Sequence, residues 1–231
     1  FFRVLVYLWT FVGKDEFTLR MLPFAFGILS IFFTYKVAKI LFDDKTALIT
    51  AFLISISPFH IYYSQELTHY TLTVFLVLCS VYYMLLGLRE DKTAIWVKFI
   101  FFTVLALYTN YICIFLVIFE NIFFFLSYRT YKDFVKHWLI IQSVMLLLYV
   151  PWLFLLPQQF YEFILYPSYF DWIPGGSFAY MLQALKVFGI GYNANFFVGF
   201  SAMLFFLSLL SAGIFFSFIF VVVTYKLFKN H

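Results

Sequence analysis

The residues best suited to chemistry lie together at positions 57–66, which read SPFHIYYSQE. Here a proline, a histidine, a glutamine, a glutamate, two serines and two tyrosines stand between apolar stretches that are each long enough to cross a bilayer. Lipid cannot form hydrogen bonds with such groups, so they must face water, a partner or a substrate. The sequence therefore predicts a polar site where two membrane helices reach the surface.

Helical spacing gives this site a first geometry. Pro58 removes a helix hydrogen bond, so we expect the last turn of the preceding span to unwind. Ser64 suits an N-cap of the next span, which would place Glu66, His69 and Tyr70 on one face of that helix. Such a face suits a hydroxyl-rich or phosphate-bearing ligand. Alternatively, Glu66 only complements the positive end of the helix dipole and the tyrosines form an interfacial belt.

Two charged residues outside this block have a functional and a structural interpretation. Arg20 begins an apolar stretch, and its guanidinium suits the phosphate of a lipid-linked substrate; the alternative is an interfacial arginine paired with Glu16. Glu120 and Asn121 lie in the middle of another apolar stretch, where a carboxylate is a functional candidate. Their distance from the polar face favours a structural hydrogen bond to a neighbouring helix.

Composition places the chain in a membrane. Apolar residues make up 65% of its 231 positions and charged residues 11%, which is too apolar for a soluble domain. The net charge of +4 is spread among apolar stretches, which is not typical of a nucleic-acid-binding protein. Cys79 and Cys113 lie inside apolar stretches and are expected to be small buried residues. No spacing typical of a metal site, a phosphate loop or a Ser/His/Asp triad occurs, so we predict neither metal nor cofactor.

We predict an all-α, polytopic transmembrane helical bundle with about seven spans, each near the length that a bilayer requires. The spans are residues 22–42, 46–63, 70–88, 94–108, 111–128, 138–156 and 198–225. Residues 1–12 are apolar but short, which favours an interfacial or re-entrant helix. We see no internal repeat or linker, so residues 1–231 are predicted to form a single domain.

Charge supports a turn at Thr109-Asn110 that splits residues 99–125 between two helices. With this turn, one side of the membrane carries every Lys and Arg except Arg3, Lys14, Arg20 and Lys186. The positive-inside tendency identifies that side as cytoplasmic. The outer face then carries residues 13–20, residues 60–70, the Asn110 turn and the long segment 157–197.

Five segments resemble motifs of a known family, in the same order and at similar spacing, between about residues 7 and 191. Residues 13–20, GKDEFTLR, with Leu22-Pro23, resemble G-x-SEF-x-LR-x-P, and residues 57–70 resemble SP-x-HIYYSQE-x-R-x-Y. Residues 107–111, LYTNY, resemble LYTHY, while Pro151-Trp152 and residues 171–174, DWIP, resemble two later markers. The chain thus resembles integral-membrane glycosyltransferases of the dolichyl-phosphate-mannose protein mannosyltransferase-like group, which have the C-type glycosyltransferase fold.

The resemblance implies an inverting enzyme that moves a sugar from a polyprenyl-phosphate donor, without a nucleotide sugar, to a lipid, glycan or protein acceptor. The active site would face outward from the plasma membrane. Arg20 would contact the donor phosphate, and Glu66 would serve donor binding rather than proton abstraction. The other substrate-binding residues would be His60, Tyr63, Gln65, His69, Tyr70 and Asn110.

Two departures from the family pattern bear on catalysis. Thr68 stands where the family usually has Arg, so one cation is missing or partly replaced by His69. The family's catalytic acidic residue lies in the first external loop, which would precede Phe1. We therefore expect the chain to lack its N-terminal span, that loop and the catalytic acid/base.

Two alternatives remain open. A non-enzymatic polytopic carrier or flippase for lipid-linked glycans would need polar groups that continue through the bundle. Here the polar groups concentrate on one face, with Glu120-Asn121 as the exception, and this favours the enzyme. The other alternative is a catalytically inactive fragment that only binds lipid.

Overall fold

The computed structural model describes residues 1–127, 131 and 134–154, and within these the regular elements are all helices. The all-α prediction is therefore confirmed for this part of the chain, while residues 157–197 and the span at 198–225 lie outside the described residues. The α-helices are α1 (Phe2–Trp9), α2 (Glu16–Leu41), α3 (Asp44–Ser55), α4 (Pro58–Gln65), α5 (Tyr70–Glu90), α6 (Thr93–Thr109), α7 (Ile114–Leu126) and α8 (Val135–Leu153).

Three of the described helices, α2, α5 and α8, are long and apolar enough to cross a membrane. A fourth span results if α3 and α4, which meet at a 58° bend, are taken as one broken helix. Helices α6 and α7 are shorter and apolar. The chain is thus a polytopic membrane protein, while the total of about seven spans and the C-type fold remain predictions.

The predicted turn at Thr109-Asn110 is confirmed. Helix α6 ends at Thr109, and the 3₁₀ turn Tyr111–Cys113 leads into α7. The Asn110 side chain accepts a hydrogen bond from the Ile112 N–H (3.1 Å), which satisfies a donor at the start of the new helical segment. Residues 99–125 therefore form two helices, and the chain reverses direction at the turn between them.

Helix α5 lies at the centre of the described bundle and packs against both α2 and α6, while α6 also packs against α8. The end of the bundle that carries Lys39, Arg89 and Lys92 is its basic end, and the core near it is aromatic. There the Trp138 ring stacks on Phe124 with centroids 4.5 Å apart. A Cβ on Gly87 would lie 3.0 Å from the Trp96 ring, so α5 and α6 approach closely there. Cys79 and Cys113 are free and buried, as predicted.

The observed connection between α4 and α5 differs from one prediction. Ser64 does not cap α5: it lies inside α4 and its hydroxyl donates to the His60 carbonyl at 2.7 Å. Helix α5 begins at Tyr70, so Glu66 lies in the connection and not in a first helical turn. The physical reason is tertiary: Ser64 packs directly on Gly27 of α2, and this contact keeps α4 helical to Gln65.

Pro58 interrupts the helix, as predicted, but in a different way. Helix α3 ends at Ser55 and a new helix begins at Pro58, where a missing N–H costs no intrahelical bond.

The chain also divides into two compact units, residues 1–56 with 60–157 and residues 57–59 with 158–231. The contacts below lie within the first unit, and the single-domain assignment stays a prediction.

Candidate functional site

Four helix ends meet at the polar end of the bundle: the starts of α2 and α5 and the ends of α4 and α6. An Arg20 Nη1 atom donates to the Gln65 carbonyl at 3.3 Å, which joins α2 to α4. Asn110 Nδ2 lies 3.4 Å from His69 Nε2, which joins the α6 end to the α5 start. Residues that are 45 and 41 positions apart in the sequence are thereby brought into one site.

The connection at residues 66–69 (the corner) carries polar groups without partners. Its turn is closed by the Thr68 N–H, which donates to the Glu66 carbonyl at 2.8 Å. The Glu66 carboxylate is partly exposed and forms neither an ion pair nor a hydrogen bond with the described residues. Thr68 Oγ1 is buried and also lacks a partner among them. Unused hydrogen-bonding groups at a membrane surface suit a polar ligand.

Arg20 makes two contacts at the start of α2. Its Nη2 pairs with Glu16 Oε1 at 2.6 Å, as in the structural alternative, while Nη1 contacts the end of α4. Both side chains of this ion pair are more than half exposed, at 53% and 77%, so the pair adds little stability. The guanidinium is therefore held beside the corner and is accessible to an anion.

His60 is placed at a helix interface. Its Nε2 lies 3.2 Å from the Gly27 carbonyl of α2 and the residue is part-buried. Tyr63 and Tyr70 extend the site as an aromatic pair with ring centroids 4.9 Å apart, and the His69 ring lies 4.6 Å from that of Tyr70. The site thus combines a charged edge with a ring surface that could pack against a sugar face.

The contacts of His69 bear on whether it replaces the cation that the family has at the position of Thr68. Asn110 uses its carbonyl oxygen to accept from Ile112, so its amide nitrogen is the atom that faces His69 Nε2. An amide N–H can only donate, so Nε2 accepts and the ring is neutral. Burial also lowers the pKa of His69 below its ordinary value of 6.5. This geometry argues against a role for His69 in replacing the family's Arg, and the suggestion stays a prediction.

A cleft of about 490 Å³ lies between α1 and the corner. Its walls include Arg3, Tyr7, Leu67, Thr68 and Tyr70. Arg3 has no acidic partner among the described residues. The sequence predicted residues 1–12 only as an interfacial or re-entrant helix and did not indicate that Arg3 lines a cleft. The available signal was a single arginine within an otherwise apolar eight-residue helix.

The apolar helices and the polar end together define an integral membrane protein with a site at one end of its bundle. The sequence profile of the dolichyl-phosphate-mannose-protein mannosyltransferase family matches residues 3–154, which include α2–α8 and all of α1 except Phe2. The chain therefore belongs to this family of membrane glycosyltransferases. Membership implies a lipid-linked sugar donor. No curated protein and no solved structure matches the chain significantly.

Proposed function

We propose that this chain forms the membrane core of an inverting glycosyltransferase that uses a polyprenyl-phosphate-linked sugar. The acceptor would be a lipid, glycan or protein on the non-cytoplasmic side of the plasma membrane. The observation that carries the proposal is the Arg20–Gln65 contact, which brings an exposed guanidinium to a corner with an unpaired carboxylate. Family membership supports the reaction type.

Each group at the site has a role in this reaction. The Arg20 guanidinium binds the donor phosphate and stabilises its charge as the glycosidic bond breaks. The Glu66 carboxylate accepts hydrogen bonds from donor sugar hydroxyls, while Tyr63 and Tyr70 contact the sugar ring. The transition state has oxocarbenium character, as at other glycosidic centres. The acceptor's proton passes to an acidic general base, a role that we assign to none of these residues.

The cleft beside α1 offers room for the acceptor. Its volume of about 490 Å³ is within the range of small-molecule sites, and residues of the corner form part of its lining. The opposite end of the described bundle carries Lys39, Arg89 and Lys92, and the positive-inside tendency supports a cytoplasmic position for that end. The site would then face the non-cytoplasmic side.

The geometry favours an enzyme over a carrier. A carrier needs polar groups that continue through the bundle, and the interior polar residues Ser80, Thr103 and Glu120 are fully buried and bonded to one another. They form a closed cluster and do not extend the corner inward.

The experiment is a transfer assay with the full-length protein in lipid nanodiscs and a polyprenyl-phosphate sugar as donor. Arg20→Gln should raise the KM for donor at least tenfold. Arg89→Gln is the matched control, because Arg89 also donates to a helix-terminal carbonyl (Ile40, 2.6 Å) but at the other end. Equal donor KM values for wild type and Arg20→Gln would refute the site. Transbilayer movement of the donor without transfer would instead support the carrier.

A further inference from the structure

Three helices meet in the interior through polar side chains that the corner does not use. Ser80 of α5, Thr103 of α6 and Glu120 of α7 are each fully buried. Ser80 Oγ lies 2.6 Å from Glu120 Oε1 and 2.6 Å from Thr103 Oγ1. Thr103 Oγ1 lies 2.8 Å from the Phe99 carbonyl oxygen. These contacts confirm the expected structural hydrogen bond from Glu120 to a neighbouring helix.

The number of protons that these contacts need determines the charge of the cluster. Three consecutive oxygen–oxygen contacts of hydrogen-bond length need three protons, yet the Ser80 and Thr103 hydroxyls supply only two. The Thr103 proton goes to the Phe99 carbonyl, as is usual for a threonine in a helix. If the Ser80 proton goes to Glu120 Oε1, the contact between the Ser80 and Thr103 oxygens has no proton. All three contacts are hydrogen bonds only when the Ser80 proton goes to Thr103 and the Glu120 carboxyl supplies the third proton, as a donor to Ser80.

The surroundings of Glu120 agree with a neutral acid. No described Lys, Arg or His pairs with its carboxyl group, and the other oxygen, Oε2, is buried without a hydrogen-bond partner. An ionised carboxylate with one empty oxygen inside apolar helices would carry a large desolvation penalty. The nearby thiols Cys79 and Cys113 are free and buried, and neither is a cation.

We propose that Glu120 is a membrane-buried proton-binding site, protonated at neutral pH and donating its hydrogen bond to Ser80. The directed chain runs from Glu120 through Ser80 and Thr103 to the Phe99 carbonyl and fastens α7 to α5 and α6. Neutral hydrogen bonds of this kind are stable in an apolar interior because every proton has an acceptor. The proposal concerns a group remote from the corner and holds whichever substrate the corner binds.

Infrared difference spectroscopy of the full-length protein in nanodiscs tests the protonation state directly. The wild type minus Glu120→Gln spectrum at pH 7 should contain the C=O stretching band of a protonated carboxylic acid. The matched control is Glu90→Gln, because Glu90 is ion-paired with Lys92 at 2.7 Å and should give only bands of an ionised carboxylate. Carboxylate bands alone in the Glu120 difference spectrum would overturn the proposal.

Thermal unfolding gives a second, independent test. In Glu120→Gln the amide N–H can donate to Ser80 as the acid does, so its midpoint should stay close to that of the wild type. Glu120→Ala removes the donor and leaves a cavity, so its midpoint should fall clearly. If Glu120→Gln is as unstable as Glu120→Ala, or fails to fold, the cluster requires a negative charge and the proposal is wrong.

Discussion

The two ends of the described bundle contain similar residues in different states. At the basic end, Arg89 donates to the Ile40 carbonyl and Lys39 pairs with Asp44 at 2.6 Å. At the polar end Arg20 makes the equivalent contact with the Gln65 carbonyl, but Glu66 has no partner among the described residues. The described carboxylates at the basic end thus have partners, whereas Glu66 at the polar end has none. An unpaired carboxylate, more than the number of charges, distinguishes the candidate site.

Neutralising one carboxylate at each end gives the largest expected difference. Glu66→Gln should lower transfer at limiting donor by about tenfold to a hundredfold, since a charge-assisted hydrogen bond contributes roughly 1.5–3 kcal/mol. Its thermal midpoint should hardly change, because the carboxylate has no partner to lose. Glu90→Gln removes a paired carboxylate and should leave transfer unchanged. Transfer assays and unfolding curves on both variants check this, and an unaffected Glu66→Gln enzyme would remove Glu66 from donor binding.

Substituting the closely packed glycine at each end should distinguish an effect on stability from an effect on activity. A Cβ on Gly27 would overlap Ser64 Oγ and lie 2.9 Å from Ser64 Cβ, so Gly27→Ala must push α4 away from α2. We expect a loss of about 1–3 kcal/mol in the free energy of unfolding and a parallel loss of transfer. Gly87→Ala meets the Trp96 ring at 3.0 Å and should cost stability alone.

Adding Ser64→Gly to Gly27→Ala should restore both quantities, because it removes the hydroxymethyl group that the new methyl group meets. Denaturation midpoints and initial transfer rates measure the two effects. If Gly27→Ala kept full transfer, the position of α4 would not matter for the site.

Acid should weaken the polar end through His69. Burial lowers the folded-state pKa of His69 below 6.5, so as pH falls the unfolded state takes up the proton first. The stability that neutral His69 contributes is therefore complete above its unfolded pKa and is lost as pH falls through the folded pKa. We expect the midpoint difference between wild type and His69→Gln to be constant above pH 7 and to shrink below it.

The comparison uses the difference between variants so that the pH dependence of the rest of the protein cancels. His137→Gln is the matched control, because it makes the same substitution at an exposed position in the first turn of α8, away from the corner. A difference that widened with acid would mean that His69 is a stabilised cation and does replace the family's arginine.

The sequence predicted which residues lie close together at the polar end better than it predicted the local structure there. The distribution of Lys and Arg placed Arg20 and Gln65 on one face, and their 3.3 Å contact joins them. The helix start at Ser64 was wrong because capping preference is local, whereas a tertiary contact with Gly27 decided the outcome. Arg3 was missed because one cation in a short apolar helix has no pattern that links it to the corner. Nor does sequence spacing indicate that Glu66 lacks a partner, since that depends on every neighbouring helix.

The smallest predicted effect compares two threonines whose hydroxyl oxygens are buried. Thr68 Oγ1 is buried and unpartnered among the described residues, whereas Thr103 Oγ1 contacts both Ser80 and the Phe99 carbonyl. Valine has nearly the same shape without the hydroxyl. Thr68→Val should therefore leave the free energy of unfolding unchanged or raise it by up to about 1 kcal/mol, because an unsatisfied group is removed.

Thr103→Val should lower the same quantity by about 1–3 kcal/mol, because it leaves Ser80 without an acceptor for its proton. Chemical denaturation of both variants in nanodiscs measures the contrast. Should Thr68→Val prove as destabilising as Thr103→Val, the Thr68 hydroxyl must have a partner in the folded protein outside the described residues. If Thr68→Val keeps its stability but loses transfer, the Thr68 hydroxyl binds the substrate. The polar end then differs from the interior because its unpaired groups serve binding and not folding.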